Sequence, residues 1–540
     1  FIKKIFKRED IQKVILWGSA RHVYEMKYMY DSLANASCVL TTKNNFALDG
    51  TIDERMLKEE VRKGASVIIC DEISANYQEI ISENQWIEGE HYISYQDCFA
   101  YLNPYSQEFF NTRKIAVWGI GDTEKNLSDM FIANQYDISV DLYLDSQKKV
   151  ETYKGKPVRQ IDELNREDGY FIIIASIYYF DIREKLCSMG YMEGEDFCSF
   201  SVFQTNPAKM MKQLVSAKSV PGFTCYQPYH RLFYAWFGAW PCCSTWVKYP
   251  IGNPASDTPE ECWNSTVAKL YRLSMENQTY CFCDVKSCGA MGNAAVIEQK
   301  PTDYSVPSYI VLGLDPTCNL YCKSCRHEIQ SVSGAAKDIR MKMADNIIKS
   351  GWLQKTKKLE LSGTGEALAS TIDRKILFED VQKRKKISLI TNANLLNETT
   401  LDQLINRYEE IAVNISIDAA TEKTYGKIRR GGRWTVLQKN LENLAQKRRE
   451  NKVQYVEIRM VVQKENYREI PAFVEMGEKF EFDQIVFTKL LNWDMFDSKK
   501  YHEECLIDDN EQMVDELKNI LQQISGNPRV NIFEFKKYLG

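Results

Sequence analysis

From residue 308 onward the chain alternates short apolar runs with amphipathic stretches, and no other feature restricts its fold so strongly. Candidate strands cover 309–314, 358–362, 387–391, 412–417, 456–462 and 484–488. Apolar residues at helical spacing follow over 335–350, 401–408, 435–447, 470–480 and 509–524. Strands separated by helices are joined by crossovers, which set them parallel in one sheet. Six strand–helix repeats predict an α/β domain over 303–540, a partial (β/α)6 barrel with its functional groups at the carboxyl ends of the strands.

Two further α/β units are expected ahead of it, over 1–105 and 106–206, because the sequence repeats itself. Lys13-Val14-Ile15-Leu16-Trp17-Gly18 returns as Lys114-Ile115-Ala116-Val117-Trp118-Gly119. Ser66-Val67-Ile68-Ile69 returns within Tyr170-Phe171-Ile172-Ile173-Ile174, and Glu88-Gly89-Glu90-His91-Tyr92 as Glu193-Gly194-Glu195-Asp196-Phe197. Apolar runs that end in Gly before a helical stretch resemble Rossmann-like domains, including those of enzymes of sugar and surface-glycan metabolism. Gly119-Ile120-Gly121-Asp122-Thr123-Glu124 is a degenerate G-x-G-x-x-G, and Asp145 follows at a distance suited to a ribose. The third Gly is missing, Glu124 would sit badly beside a pyrophosphate, and the first copy keeps only Gly18 with Thr41-Thr42 in place of an acid. A structural or substrate-docking role is therefore expected ahead of nucleotide binding.

Between these parts, over 220–300, Cys, aromatics, Gly and Pro dominate, with helical periodicity only over 260–276. Ten of the 16 cysteines fall between Cys225 and Cys325. Clustering of this kind in a large chain points to metal–sulfur chemistry rather than disulfides. The net charge of −5 argues against a nucleic-acid partner. No run is long enough to span a bilayer and the first residues do not read as a signal peptide, so a soluble, cytoplasmic protein is expected.

The sharpest motif is Cys318-Asn319-Leu320-Tyr321-Cys322-Lys323-Ser324-Cys325, a C-x3-C-x2-C triplet directly after the first strand. Three thiolates can ligate three irons of a 4Fe–4S cube and leave the fourth open. A zinc site needs a fourth ligand, for which His327 is the candidate. Gly363-Thr364-Gly365-Glu366 follows the second strand, Thr391-Asn392-Ala393-Asn394 the third and Ser416-Ile417-Asp418 the fourth. Together these motifs resemble the radical S-adenosylmethionine (SAM) superfamily over roughly 308–525.

The resemblance implies that Cys318, Cys322 and Cys325 hold a 4Fe–4S cluster whose open iron binds SAM, and that one electron releases a 5′-deoxyadenosyl radical. It further implies that Gly363, Gly365, Glu366, Asn392, Ser416 and Arg429 bind SAM, Glu366 taking its ammonium, Ser416 its ribose and Arg429 its carboxylate. The alternative for Arg429 or its neighbour Arg430 is a solvated surface cation, and for Asp418 a cap of the next helix. Ser324 stands where relatives often have an aromatic residue. The earlier cysteines resemble a SPASM or twitch module, an auxiliary Fe–S domain that in relatives usually follows the barrel rather than precedes it. That likeness gives Cys225, Cys243, Cys281 and Cys288 as ligands of a second 4Fe–4S cluster, with Cys242 and Cys283 as rivals. Cys262 lies in a helical pattern and reads as a buried apolar residue.

The function expected is hydrogen abstraction from an organic substrate, either a sugar-linked or other small molecule or, as the alternative, a ribosomally made peptide. The partners expected are that substrate and an electron donor such as flavodoxin or ferredoxin. A zinc-stapled binding scaffold is the non-enzymatic alternative. No general acid or base stands out from the sequence.

Overall fold

The computed structural model describes the chain apart from residues 1, 7, 9, 43–47, 149, 177, 221, 223, 287, 289–295, 298, 362, 363, 380–383, 493, 494, 509, 511 and 540. It divides into two compact units, Phe1–Tyr229 with Gly238–Thr302 and His230–Phe237 with Asp303–Gly540.

The first unit contains both halves of the sequence repeat. In the first half, β1 (Val14–Gly18), β2 (Ser37–Leu40), β3 (Ser66–Ile69) and β4 (Tyr92–Ser94) form a parallel sheet in the order β2-β1-β3-β4. In the second half, β5 (Lys114–Trp118), β6 (Leu142–Leu144), β7 (Thr152–Tyr153), β8 (Lys156–Arg159), β9 (Tyr170–Ile174) and β10 (Phe197–Ser199) take the order β10-β9-β5-β6-β8-β7. The second sheet is the first with an added β7–β8 hairpin, since β6-β5-β9-β10 matches β2-β1-β3-β4 strand for strand.

The inner strands read as unbroken apolar runs because both faces of each sheet are covered. Every residue of β1 and of β3 is buried. Trp17 packs edge-on against Tyr77 with 4.5 Å between ring centres. The paired Glu-Gly-Glu segments close matching turns, in which the Gly89 and Gly194 N–H groups bond to the carbonyls of Tyr92 and Phe197. Both glycines have positive φ, +83° and +87°, a conformation that a side chain would strain.

The Cys-rich segment carries two consecutive helices, Pro259–Asn264 and Thr266–Glu276. A capping box between Thr258 and Glu261 starts the first, and the Ser265 side chain caps the second. Cys262 is fully buried on the first of these helices. Arg272 is buried as well, stacked on Trp263 and donating to the Pro228 and Trp263 carbonyls.

In the second unit eight strands lie side by side and parallel: Arg231–Ala235, Tyr309–Gly313, Lys358–Leu361, Arg384–Thr391, Tyr408–Ser416, Tyr455–Val462, Gln484–Lys489 and Val530–Asn531. Six of them coincide with the runs read from the sequence, with ends that shift by a few residues. The two outer strands were not expected. Arg231–Ala235 lies within the stretch read as Cys-rich, yet it pairs with Tyr309–Gly313 from Arg231↔Tyr309 to Ala235↔Gly313. Among these strands, chain order from Tyr309 onward is also spatial order, so successive strand-end loops are neighbours along one edge of the sheet. Among the described residues, no helix is long and apolar enough to cross a membrane.

Candidate functional site

The cysteine triplet leaves the carboxyl end of Tyr309–Gly313 through Asp315, which is buried and accepts from the Ser370 hydroxyl at 2.6 Å and the Thr317 N–H at 2.9 Å. The loop is then held on two sides. Toward Ile428–Arg430, the Tyr321 N–H donates to the Arg430 carbonyl at 3.1 Å and the Lys323 N–H to the Ile428 carbonyl at 2.8 Å. Toward the next strand end, Gly365 lies so close to residues 315–317 that a Cβ there would stand 2.4 Å from the Thr317 carbonyl oxygen and 2.5 Å from that of Asp315. The reason for glycine here is close approach, not a positive φ.

Each thiol of the triplet has a nearby N–H donor. The Leu320 N–H is 3.4 Å from Cys318 Sγ, Arg429 Nη1 is 3.6 Å from Cys322 Sγ, and Arg326 Nη2 is 3.5 Å from Cys325 Sγ. Cys322 is buried, Cys318 half-buried and Cys325 exposed. Burial pushes the Cys318 and Cys322 thiols up, opposed at Cys318 by the Leu320 N–H and Arg326, and at Cys322 by Arg429. Arg429 is itself largely buried, its side chain 12% exposed, and paired with Asp418, Nη2 to Oδ2 at 2.7 Å. Burial pulls the guanidinium pKa down, but Asp418 and Cys322 outweigh it and the net direction is up. Asp418 has φ +63°, and its other oxygen accepts from the Val461 N–H at 2.8 Å. It therefore braces Arg429 rather than capping a helix.

Glu366 is also buried, and its carboxylate already serves the neighbouring turn. One oxygen accepts from the Thr391 hydroxyl and the other from the Asn392 N–H, each at 2.7 Å. Burial raises its pKa, with these bonds opposing the rise. Asn392 passes the connection on, its Nδ2 reaching Asn319 Oδ1 inside the cysteine loop at 2.9 Å. Ser416 ends its strand half-buried. Gly363 lies outside the described residues. Cys318, Cys322, Cys325, Gly365, Glu366, Asn392 and Arg429 are thus linked through one network, which also contains Asp315, Asn319 and Arg326. Those last three were missed from sequence, although Arg326 directly follows the third cysteine.

In the first unit, Cys283 is the centre of the second cysteine group. Burial drives its thiol well up, and Cys242, Cys225, Cys288 and Cys281 add to the rise by lying near it. Cys225 and Cys283 pack in one apolar cluster with Tyr280 and Met275. The Cys281 thiol is pushed up to about 11 by burial, against a contact from Thr279. Cys243 is half-buried, its carbonyl accepting from the Trp246 N–H. Among the described residues, no three His, Cys, Asp or Glu side chains converge tightly enough to share a single metal ion.

Two family models match the chain. Residues 111–195 match the one described as C2185-like, N-terminal, and residues 315–477 match the Radical SAM superfamily. No curated protein matches. Among solved structures, similar chains include Streptococcus suis SuiB bound to S-adenosylmethionine, at 15% identity, TM-score 0.28, and 42% of this chain against 47% of that one. They also include native anSMEcpe with bound AdoMet and Cp18Cys peptide, at 17% identity, TM-score 0.28, and 40% against 57%. A third is the methyltransferase TsrM from Kitasatospora setae with tryptophan and a SAM analogue bound, at 12%, TM-score 0.27, and 40% against 53%. The chain thus spans about half the length of these structures. Residues 315–477 thus match the radical SAM superfamily, and this region contains the whole cysteine triplet.

Proposed function

We propose that the chain is an enzyme that binds a 4Fe–4S cluster at Cys318, Cys322 and Cys325 together with SAM, and starts radical chemistry on an organic substrate. When bound, such a cluster would supply the single electron that splits SAM into methionine and a 5′-deoxyadenosyl radical able to take hydrogen from the substrate. The observation that carries this reading is the triplet itself, three thiols on one braced loop, each with an N–H donor within 3.6 Å. The donor set fits the group, since N–H bonds to ligand sulfurs stabilise thiolate charge and tune the cluster. Convergence on one ion is not required, because each thiolate of a cube grips its own iron.

The chain's own residues would fix the loop and the cofactor. Gly365 admits the close packing of 315–317, and Arg429 offers a charge-assisted contact for the SAM carboxylate beside Cys322. Glu366 and Asn392 hold two strand-end turns in register with the cysteine loop, so an ammonium contact from Glu366 would use lone pairs beyond the bonds described above. Ser416 would meet the ribose. The cysteines around Cys283 are proposed to hold a second cluster. The arrangement favours Cys283 with Cys225, Cys242, Cys281 and Cys288 as the pool of ligands, ahead of Cys243. The segments 1–105, 106–206, 220–300 and 303–540 are proposed as two Rossmann-like units, an auxiliary module and a radical SAM partial barrel. A flavodoxin- or ferredoxin-type donor would supply the electron in the cytoplasm.

Anaerobic purification with iron and sulfide analysis, followed by a dithionite-driven assay for 5′-deoxyadenosine, tests the proposal. About eight irons per chain are expected for two cubes. Cys322→Ala is expected to abolish turnover and leave about four. Zinc without iron, and no 5′-deoxyadenosine, would overturn the enzymatic reading.

A further inference from the structure

Lys323 stands between the second and third cysteines of the triplet, and its side chain is only 15% exposed. A lysine buried to that degree needs a partner for its ammonium. The partner is Glu504, whose side chain is 3% exposed, with Lys323 Nζ 2.8 Å from its Oε2. Glu504 lies far along the chain, in the helix Ser498–Cys505. That helix follows the strand Gln484–Lys489, so the contact joins the first strand end of the six expected repeats to the last.

Four strands lie between Tyr309–Gly313 and Gln484–Lys489 in the sheet. Neighbouring strands are about 4.8 Å apart, so in a flat sheet these two would be about 24 Å apart. Contact at 2.8 Å therefore requires a curled sheet and a final segment, 490–514, that turns back toward the first strand end. The segment is closed on itself to do so. The Asp497 side chain caps its helix by accepting from the Lys500 N–H at 2.8 Å, and the Tyr501 hydroxyl donates to the Leu490 carbonyl at 2.9 Å.

Glu504 is held from its other side as well. Its second oxygen is 3.1 Å from Lys500 Nζ, and its carbonyl accepts from the Lys464 N–H at 2.9 Å. Glu465, next to Lys464, lies 3.8 Å from Lys323 and 2.9 Å from Lys427. The result is an alternating row, Lys427–Glu465–Lys323–Glu504–Lys500, with Lys323 at its centre. The exposed outer pair at Lys427 contributes little. The inner pair differs, because loss of either partner strands a buried charge. Lys323 is thereby fixed at both ends, its N–H on the Ile428 carbonyl at 2.8 Å and its ammonium on Glu504.

We infer that Glu504 is a positioning residue for the cysteine triplet, acting through Lys323 to hold Cys322 and Cys325 in the arrangement that receives the cluster. The inference rests on the radical SAM reading only for what the loop would hold. The pinning itself belongs to the iron-free chain, where a buried thiol reacts only when its surroundings open.

Iodoacetamide labelling of the iron-free full chain, with Cys322 followed by peptide mass spectrometry, tests it. Glu504→Gln and Lys323→Met, which sever the same contact from opposite sides, are each expected to speed labelling about tenfold at an unchanged urea midpoint. The double variant should be no faster than either single one, since both remove one interaction. An effect of these charges on the thiol alone would change the two single-variant rates in opposite directions, whereas release of the loop speeds both. After reconstitution with iron and sulfide, a chelator should strip iron from each single variant about tenfold faster than from the parent, as a loosened loop opens more often. Parent-like labelling in both variants, opposite changes, or acceleration that only accompanies a lowered urea midpoint overturns the inference. A parent chain that takes up no iron would overturn the radical SAM reading instead, and the labelling rates would still decide the pinning.

Discussion

The buried Arg429–Asp418 pair decides how the second thiol of the triplet is presented. A buried pair adds little net stability over an apolar one, because desolvation offsets the attraction, but removing one partner strands a charge. Asp418→Ala would leave Arg429 facing Cys322 with no counter-ion and would free the Val461 N–H as well. A loss of about 3–5 kcal/mol is expected from such a change. Urea denaturation followed by circular dichroism measures it. Asp418→Asn should lose less, since its amide can still accept from the Val461 N–H. Equal midpoints for Asp418→Ala and the parent chain would show that Arg429 is solvated after all, one of the alternatives left open by the sequence.

At the scale of elements, the first repeat holds a charge pair that can be titrated. Burial alone would raise the Asp71 carboxyl, but the bonds from His22, Ser19 and Tyr77 hold it down at about 2. Burial alone would lower His22, yet Asp71 and Glu25 outweigh it and the imidazole is raised. A depressed carboxyl stabilises the fold above its unfolded pKa of about 3.9 and ceases to do so as pH falls through its folded value. A raised imidazole stabilises below about 6.5 and ceases to as pH rises through its folded value. The pair therefore contributes most between about pH 4 and 6.5, on the unfolded reference values. The chain has only five histidines, so proton NMR can follow His22 directly. Its pKa is expected above 6.5, and Asp71→Asn should carry it below that value because burial then prevails.

The elements themselves were largely legible in the sequence. β3 and β9 have the bounds that their apolar runs gave, because a strand buried on both faces is apolar throughout. What periodicity could not reveal is which side chain serves which neighbour. Asp71 gathers Ser19, His22 and Tyr77, yet it does not stand out from its surroundings in the sequence. Likewise Glu366 reads as a lone acid after a glycine turn, and only the fold shows that Thr391 and Asn392 have taken its oxygens.

At the scale of the whole molecule, the least legible fact is that the second unit is discontinuous. Arg231–Ala235, inside the stretch read as Cys-rich, belongs to this unit, and the chain returns to it only at Tyr309–Gly313, which pairs with that strand. Pairing across so long a separation leaves no local signal in the sequence. Leu232 and Tyr234 are fully buried and Phe233 nearly so, and Arg231 lies over the Tyr309 ring at 4.9 Å. Burying side chains of this size contributes about 1.5–3 kcal/mol each. A fragment spanning 303–540 would lose that contribution and expose the Tyr309–Gly313 edge, whose unpaired backbone invites association with other chains. Size-exclusion chromatography should therefore find this fragment aggregated. Restoring 230–237 through a flexible Gly/Ser linker to residue 303 should return a monomeric, cooperatively melting unit. If the bare 303–540 fragment melts as cooperatively as the version carrying 230–237, the outer strand is an appendage, and the radical SAM domain begins where the sequence placed it.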